Sequence, residues 1–348
     1  MVTRVKHWGG RSVTDGPVRT EDVAREAGVS RATVSYVLNG RRDVRVSDTT
    51  RRRVLDVARR IGYVGSPAAR ALRNGRGDVV LLLLPDWEVT GQLELLLGHV
   101  GQLVGQHGLV CLRYEGAQWQ GSLNTVLARI SAACVVTFDP LSEDDARALQ
   151  SAGVPEVHTG ILDYPGSPHT TTIGQAAIVA AQVDHLLNQG YRRLAYMAMD
   201  EPRGRKFVDA RVAAFDEICR ARGIPDALIT VADQNLESII SALSGWVATS
   251  PEPLGVAAWN DLAGLGILSA AAKLSIRVPH DLGVIGGDDT LVAALTNPSL
   301  SSVRFDLTTE AEGIAARIAS ILGYDTNLRA PDGALVEAIA RESSQLPS

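Results

Sequence analysis

Cysteine is scarce: Cys111, Cys134 and Cys219 are the only three in 348 residues, each isolated, with no CxxC pair and no neighbouring run of histidines. That spacing excludes a disulfide framework and a zinc site built from sequence-local ligands, so all three are expected to be buried thiols. Long apolar runs are missing as well. No uncharged stretch reaches the roughly 20 residues that cross a bilayer, and the opening MVTRVKHWGGRSVTDG lacks the apolar centre of a secretion signal. No membrane partner and a cytoplasmic location are therefore expected. Catalytic patterns are equally thin. The seven histidines are scattered, none beside a plausible serine or cysteine nucleophile. The segment GVIGG lacks the Lys-Ser/Thr of a phosphate loop and the spacing of a dinucleotide fingerprint, and fits a strand end in tight packing. Glu143, Asp144 and Asp145 follow Ser142 as an ordinary acidic first helical turn. No catalytic residue, metal or cofactor is assigned, and the chain is not read as an enzyme.

What is present is an uneven distribution of charge. The first 77 residues hold 17 Lys and Arg against 7 Asp and Glu, a net +10, and the remaining residues hold 17 against 32, a net −15. A small positive module on an acidic body suits a polyanion-binding head attached to a soluble sensor.

Within the head, Thr20 is a cap candidate for a helix reaching Ala27, with Glu21 and Asp22 in its first turn and Val23, Ala24 and Ala27 on one face. Gly28 suits a left-handed stop. Ser30 can cap a second helix carrying Val34, Val37 and Leu38, which Asn39 and Gly40 end, so the pair forms a helix-turn-helix. Ser47 caps a third helix with Val54, Ala58 and Ile61 at i, i+4 and i+7, closed by Gly62. Ser66, Pro67 and AARALR predict a short fourth helix, too short to stand alone.

From Asp78 onward, apolar runs alternate with amphipathic stretches: VVLLLLP, LVCLRY, CVVTF and VPEVHTG in one series, then RLAYMAM, ALITVA, LGVAAW and LGVIGG in a second, followed by LSSVRF and a helix from Leu307. Continuous apolar strands separated by helices predict parallel sheets covered on both faces. Two such series make two Rossmann-like halves, with a ligand expected at the carboxyl ends of the strands.

The stretch from Thr20 to Val80, with DVA, AGVS, ATVS, VLN, TRRRV and GY in order, resembles the DNA-binding head and hinge of the LacI/GalR family of bacterial repressors. DHLLNQGYRRLAYM, RVAAF, WNDLAGLG, VPHDLGVIGGDD, NPSLSSV and RESS extend the resemblance to Ser344 through a core similar to periplasmic sugar-binding proteins. The fold expected is thus an all-α helix-turn-helix head with a hinge helix, then an α/β periplasmic-binding-protein-like core of two subdomains. The expected divisions are a flexible arm over 1–18, the DNA-binding domain over 19–64, the hinge over 65–77, and the core over 78–348. The core's lobes span about 78–175 plus 290–320 and about 176–289 plus 321–348.

The resemblance implies that the second helix enters the major groove. Arg31 and Ala32 would read base edges, while Thr20, Ser30, Thr33 and Ser35 would meet phosphates. Tyr36 stands where the family usually has Arg and cannot make the two-pronged guanine contact, and Asn39 closes the same helix. In the hinge, Ala69, Arg70 and Leu72 match minor-groove residues, Leu72 being the apolar wedge. Gly65 and Ser66 stand where the family has Pro-Asn.

Arg211, Asn260 and Asp288 match the family's effector anchors, a set suited to vicinal hydroxyls or a small carboxylate. Asp288 has a second reading as a cap of the next helix. Trp87, Trp259 and Leu307 are either cavity or core residues. Gly287 replaces an aromatic common in the family, and Gly174 replaces an expected Asp. The implied protein is a homodimeric repressor of double-stranded DNA with a pseudo-palindromic operator, whose affinity is modulated by a small-molecule effector such as a sugar. A small-molecule binder without DNA regulation and a sugar-active enzyme on the same fold are the rival readings; neither explains residues 20 to 75.

Overall fold

A computed structural model describes residues 18–38, 44–63, 75–84, 91–115, 122–159, 174–202, 204–224, 226–325 and 336–346. The chain divides into two compact units, Met1–Gly77 and Asp78–Ser348.

The first unit holds α1 (Thr20–Ala27), α2 (Arg31–Leu38) and α3 (Asp48–Arg60). The cap of α1 is Arg19, not Thr20 as the sequence suggests: the Asp22 carboxylate accepts from the Arg19 N–H at 2.9 Å. Thr20 is thereby free to become the first helical residue, and its hydroxyl pairs with the Tyr63 hydroxyl at 2.8 Å. Gly28 ends α1 at φ 60° and ψ 42°, a conformation that L side chains pay for. Ser30 Oγ then accepts from the Thr33 N–H at 3.1 Å to start α2, and Ser47 Oγ accepts from the Thr50 N–H at 3.2 Å to start α3. Val23, Ala27, Val34, Val37, Val54 and Ala58 form the shared core. Its side chains are small, so helices this short can approach closely enough to exclude water. The expected hinge helix with Ala69, Arg70 and Leu72, all of the expected 1–18 arm but its last residue, and Asn39 and Trp87 lie outside the described residues.

The second unit carries two four-stranded parallel sheets. The first has β1 (Val79–Leu84), β2 (Val110–Glu115), β3 (Ala132–Thr137) and β4 (Glu156–His158) in the order β2-β1-β3-β4. The second has β5 (Arg193–Met199), β6 (Leu228–Ala232), β7 (Leu254–Ala258) and β8 (Leu282–Ile285) in the order β6-β5-β7-β8. The strands β3, β7 and β8 are buried along their whole length, as their unbroken apolar sequences require. The edge strands β2 and β6 depart from that pattern: Val110 and Leu112 of β2 and Val231 of β6 are exposed, because an edge has no neighbouring strand to extend the helical cover.

Helices connect the strands: α4 (Gly91–Gly105), α5 (Leu123–Leu127) and α6 (Glu143–Ala152) in the first series, and α7 (Gln175–Asn188), α8 (Arg205–Ala221), α9 (Leu236–Ala248) and α10 (Asp261–Lys273) around the second. Ser142 caps α6 by accepting from the Asp145 N–H at 3.2 Å, which gives the acidic cluster at its start the structural role expected. After β8 come α11 (Leu291–Leu295), β9 (Ser302–Phe305), α12 (Thr308–Ile321) and β10 (Val336–Ile339), with β9 and β10 paired antiparallel. The last helix starts at Thr308 rather than Leu307, since Asp306 Oδ1 takes the Thr308 N–H at 2.7 Å. It packs against α4 and β4. Of the cysteines, Cys134 and Cys219 are buried and Cys111, on edge strand β2, is half-buried. No helix among the described residues is long and apolar enough to cross a membrane.

Candidate functional site

On the first unit, α2 presents Arg31 and Ala32 outward and leaves Thr33, Ser35 and Tyr36 half-buried, while Val34 and Val37 face the core. Arg31 Nη1 pairs with Glu21 Oε1 of α1 at 2.9 Å, with both side chains largely in solvent. Such a pair is worth at most about 1 kcal/mol, so the guanidinium is held ready rather than locked. Ser30 is exposed and Thr20 half-buried at the starts of their helices. Arg52 and Arg53 of α3 are also exposed; arginines at helical spacing opposite Val54 and Val57 were the signal for that basic face.

On the second unit, a cavity of about 530 Å³ gathers residues from five helices and from the ends of the strands. Arg211, Trp259, Asn260, Asp288 and Leu307, chosen from motifs scattered over nearly 100 residues, all line it. Arg211 projects from α8 and is only 6% exposed. Its Nε–H donates to Gln175 Oε1 at 2.7 Å and its Nη1–H to the Trp259 carbonyl at 2.5 Å. Its guanidinium carbon sits 4.3 Å from the Trp259 ring centroid, a cation–π stack. The position where the family often carries an aromatic is Gly287, and a Cβ there would come within 3.2 Å of the Trp259 carbonyl oxygen and 3.7 Å of Arg211 Nη1. The Trp259 backbone carbonyl, Gln182 Nε2 and the Arg211 guanidinium therefore crowd the room a larger residue 287 would need.

Asn260 caps α10, its Oδ1 accepting from the Ala263 N–H at 2.8 Å. That bond fixes the carboxamide so that its amide group is left for the cavity. Asp288, just beyond β8, does not cap α11: Asp261 Oδ2 instead accepts from the Thr290 N–H at 2.6 Å and the Thr290 hydroxyl at 2.7 Å. Asp261 Oδ1 also takes the Gly287 N–H at 3.1 Å and the Ser302 hydroxyl. Asp261 is 2% exposed and fully occupied, a structural carboxylate. The backbone of Asp288 is tied down, its N–H to Ser302 Oγ at 3.2 Å and its carbonyl to Gln92 Nε2 at 2.6 Å. Its carboxylate has no hydrogen-bond partner among the described residues. Burial pushes that carboxyl up to about 7, with Asp261 adding to the effect and the Arg211 charge opposing it.

Sequence reasoning missed Gln175 and Gln92. Gln175 is 3% exposed, lines the cavity and has an Nε2 without a partner; its place immediately after Gly174, where an Asp was expected, was the available signal. Leu307, 6% exposed, serves as both core and cavity wall. Among the described residues no group of His, Cys, Asp and Glu could hold a metal ion.

A family profile for bacterial regulatory proteins of the lacI family matches residues 20–66, and one for a periplasmic binding protein-like domain matches residues 183–344. The transcriptional regulator CelR of Thermobifida fusca is 30% identical over 302 residues, covering 81% of this chain and 85% of its own. The regulator GntR of Pseudomonas aeruginosa is 29% identical over 348 residues, covering 95% and 97%. Among solved structures, the lac repressor dimer bound to operator and the anti-inducer ONPF superposes with a TM-score of 0.71 at 21% identity, over 95% of this chain and all of that one. A CelR–cellobiose complex gives 0.61 at 24%, over 94% and 99%. The structural likenesses speak for the fold; with the identity to CelR across most of both chains, they establish that this protein belongs to the lacI family of bacterial regulatory proteins and is a DNA-binding transcriptional regulator.

Proposed function

We propose that the chain is a cytoplasmic, homodimeric repressor whose affinity for a pseudo-palindromic operator is set by a hydroxylated small molecule held in the 530 Å³ cavity. The observation that carries this reading is the convergence of Arg211, Asn260 and Asp288 on one cavity that Gln175 also lines, its buried Nε2 without an acceptor. Buried polar groups demand partners, and a ligand supplies them. The cellobiose held by the solved CelR complex supports a glycosidic effector. Exposed Leu95, Val110 and Leu112, together with Leu291, Val292 and Leu295 of α11, support burial against a second copy.

In this division of labour, residues 19–64 read DNA, 65–77 form the hinge and 78–348 bind effector and partner. Arg31 and Ala32 meet base edges, Tyr36 and Asn39 border them, and Thr20, Ser30, Thr33 and Ser35 meet phosphates. Ala69, Arg70 and Leu72 enter the minor groove. Trp87, Trp259 and Leu307 complete the effector wall. The effector acts by favouring one arrangement of the core over another, so operator and effector affinities are reciprocally linked.

The experiment is a genome-fragment selection with the purified full chain at near-physiological salt. One pseudo-palindromic motif is expected, and the metabolites handled by the neighbouring genes are then titrated against operator binding with wild-type protein and R211A. Wild-type operator affinity should change with one of them and that of R211A should not. Absence of any motif, or an unchanged response in R211A, overturns the reading.

A further inference from the structure

Two carboxylates stand side by side beyond β8 and serve different partners. Asp288 lines the cavity, and Asp289 does not. The Asp289 side chain is 6% exposed and held by two guanidinium groups. Arg304 of β9 donates to its Oδ2 at 2.7 Å, and Arg341, just past β10, donates to its Oδ1 at 2.5 Å. Arg341 is itself anchored, its Nη1–H donating to the Leu300 carbonyl at 2.8 Å. Both bonds to Asp289 are charge-assisted, and the one to Arg341 lies largely out of water, so the carboxylate is firmly placed. The backbone shows what this grip maintains. Asp289 has a φ of 46°, left-handed for a residue that carries a Cβ, and such a conformation persists only where its surroundings over-determine it. Ser302 Oγ accepts the N–H groups of both acids, at 3.2 and 2.9 Å, on the same turn. If Asp289 left its arginines, its φ would relax, the peptide between the two acids would rotate, and the Asp288 carboxylate would swing out of the cavity.

We propose that Asp289, clamped by Arg304 and Arg341, is the positioning residue that keeps Asp288 facing the effector cavity, so that the last segment of the chain sets the orientation of a ligand-facing group. This rests on the reading of Asp288 as an effector anchor, yet its test needs no effector.

The test is urea unfolding of the core in the full-length protein across pH, read as the stability gained by D288N in the wild-type, R341Q, R304Q and R341K backgrounds. The groups whose charges act on Asp288, Arg211 of α8 and Asp261 of α10, stay in place throughout, as does Tyr196 of β5, on which Asp288 acts in turn. In the wild-type background the gain should grow with pH and level off at about 7. With R341Q it should level off below about pH 6, because a carboxyl released to water ionises at lower pH. R304Q should act the same way but less, since Arg304 is 52% exposed, and R341K should restore the wild-type profile by keeping the charge. The sign is diagnostic: loss of a neighbouring cation without movement of Asp288 would push its carboxyl up, not down. A levelling-off that is unchanged or raised in R341Q and R304Q overturns the inference and leaves the effector site standing. If R341Q does not fold, R304Q decides alone. A wild-type gain that does not vary with pH also overturns it, by placing Asp288 outside the cavity. A lowered profile in R341Q beside an R211A protein that still responds to effector keeps the clamp and removes only the effector reading.

Discussion

Replacing Asp288 by asparagine tests the electrostatics of the cavity with no change in shape. Burial raises this carboxyl from 3.8 to about 7 in the folded protein. Between those values the folded state holds a proton that the unfolded state has released, so rising pH favours unfolding, and above about 7 both states are ionised and the loss stops growing. The full shift corresponds to about 4 kcal/mol. The cavity is open to water, which screens the charge and reduces the expected effect to about 2 kcal/mol. The carboxamide of the variant cannot ionise. D288N should therefore match the wild type at about pH 4, gain on it steadily through pH 5 and 6, and be about 2 kcal/mol more stable at pH 8. Urea unfolding of the core, followed without effector across that range, measures the difference. A D288N protein less stable than wild type at pH 8 would refute the reasoning, since it would mean that the ionised carboxylate is stabilised by Arg211 more than burial penalises it.

Asn260 separates stability from recognition. N260A should cost about 1 kcal/mol through loss of the α10 cap, whereas N260D keeps the capping oxygen and should preserve stability while losing effector response; denaturation and an operator-release assay read the two, and a fully responsive N260D would remove the amide from the site. In the head, G28A meets no atom within 4 Å, so its cost is that of a left-handed backbone, about 1 kcal/mol, and G28N should recover much of it in thermal unfolding. R31A should weaken operator binding by about 1–3 kcal/mol while leaving nonspecific binding nearly unchanged; equal losses in anisotropy titrations would make Arg31 a phosphate contact.

The fold was legible wherever local signals agreed. Ser47 and Ser142 announce their helices because a hydroxyl one step before an amphipathic run has one good use, and β3, β7 and β8 announce themselves by unbroken apolar sequence. Thr20 misled because two cap candidates, its own hydroxyl and the Asp22 carboxylate, lie within one turn, and the choice depends on a distant Tyr63. The exposure of β2 was hidden because LVCLRY reads the same at the centre and edge of a sheet. In the cavity, single-residue matches to family motifs brought Arg211, Asn260 and Asp288 together. Gln175 escaped because its value lies in an unmet hydrogen bond, which only three-dimensional placement creates. Likewise Asp261, adjacent to Asn260, gives no sequence sign that four donors converge on it.

That convergence has a mechanical consequence. One carboxylate on α10 grips the backbone at Gly287, both polar groups of Thr290 and the hydroxyl of Ser302 on β9. The loop presenting Asp288 to a ligand is thus pinned on either side to a helix and to a strand that pairs elsewhere. It behaves as a joint more than a tether: a pull on Asp288 cannot be absorbed by the loop and must turn the helix and the strand together.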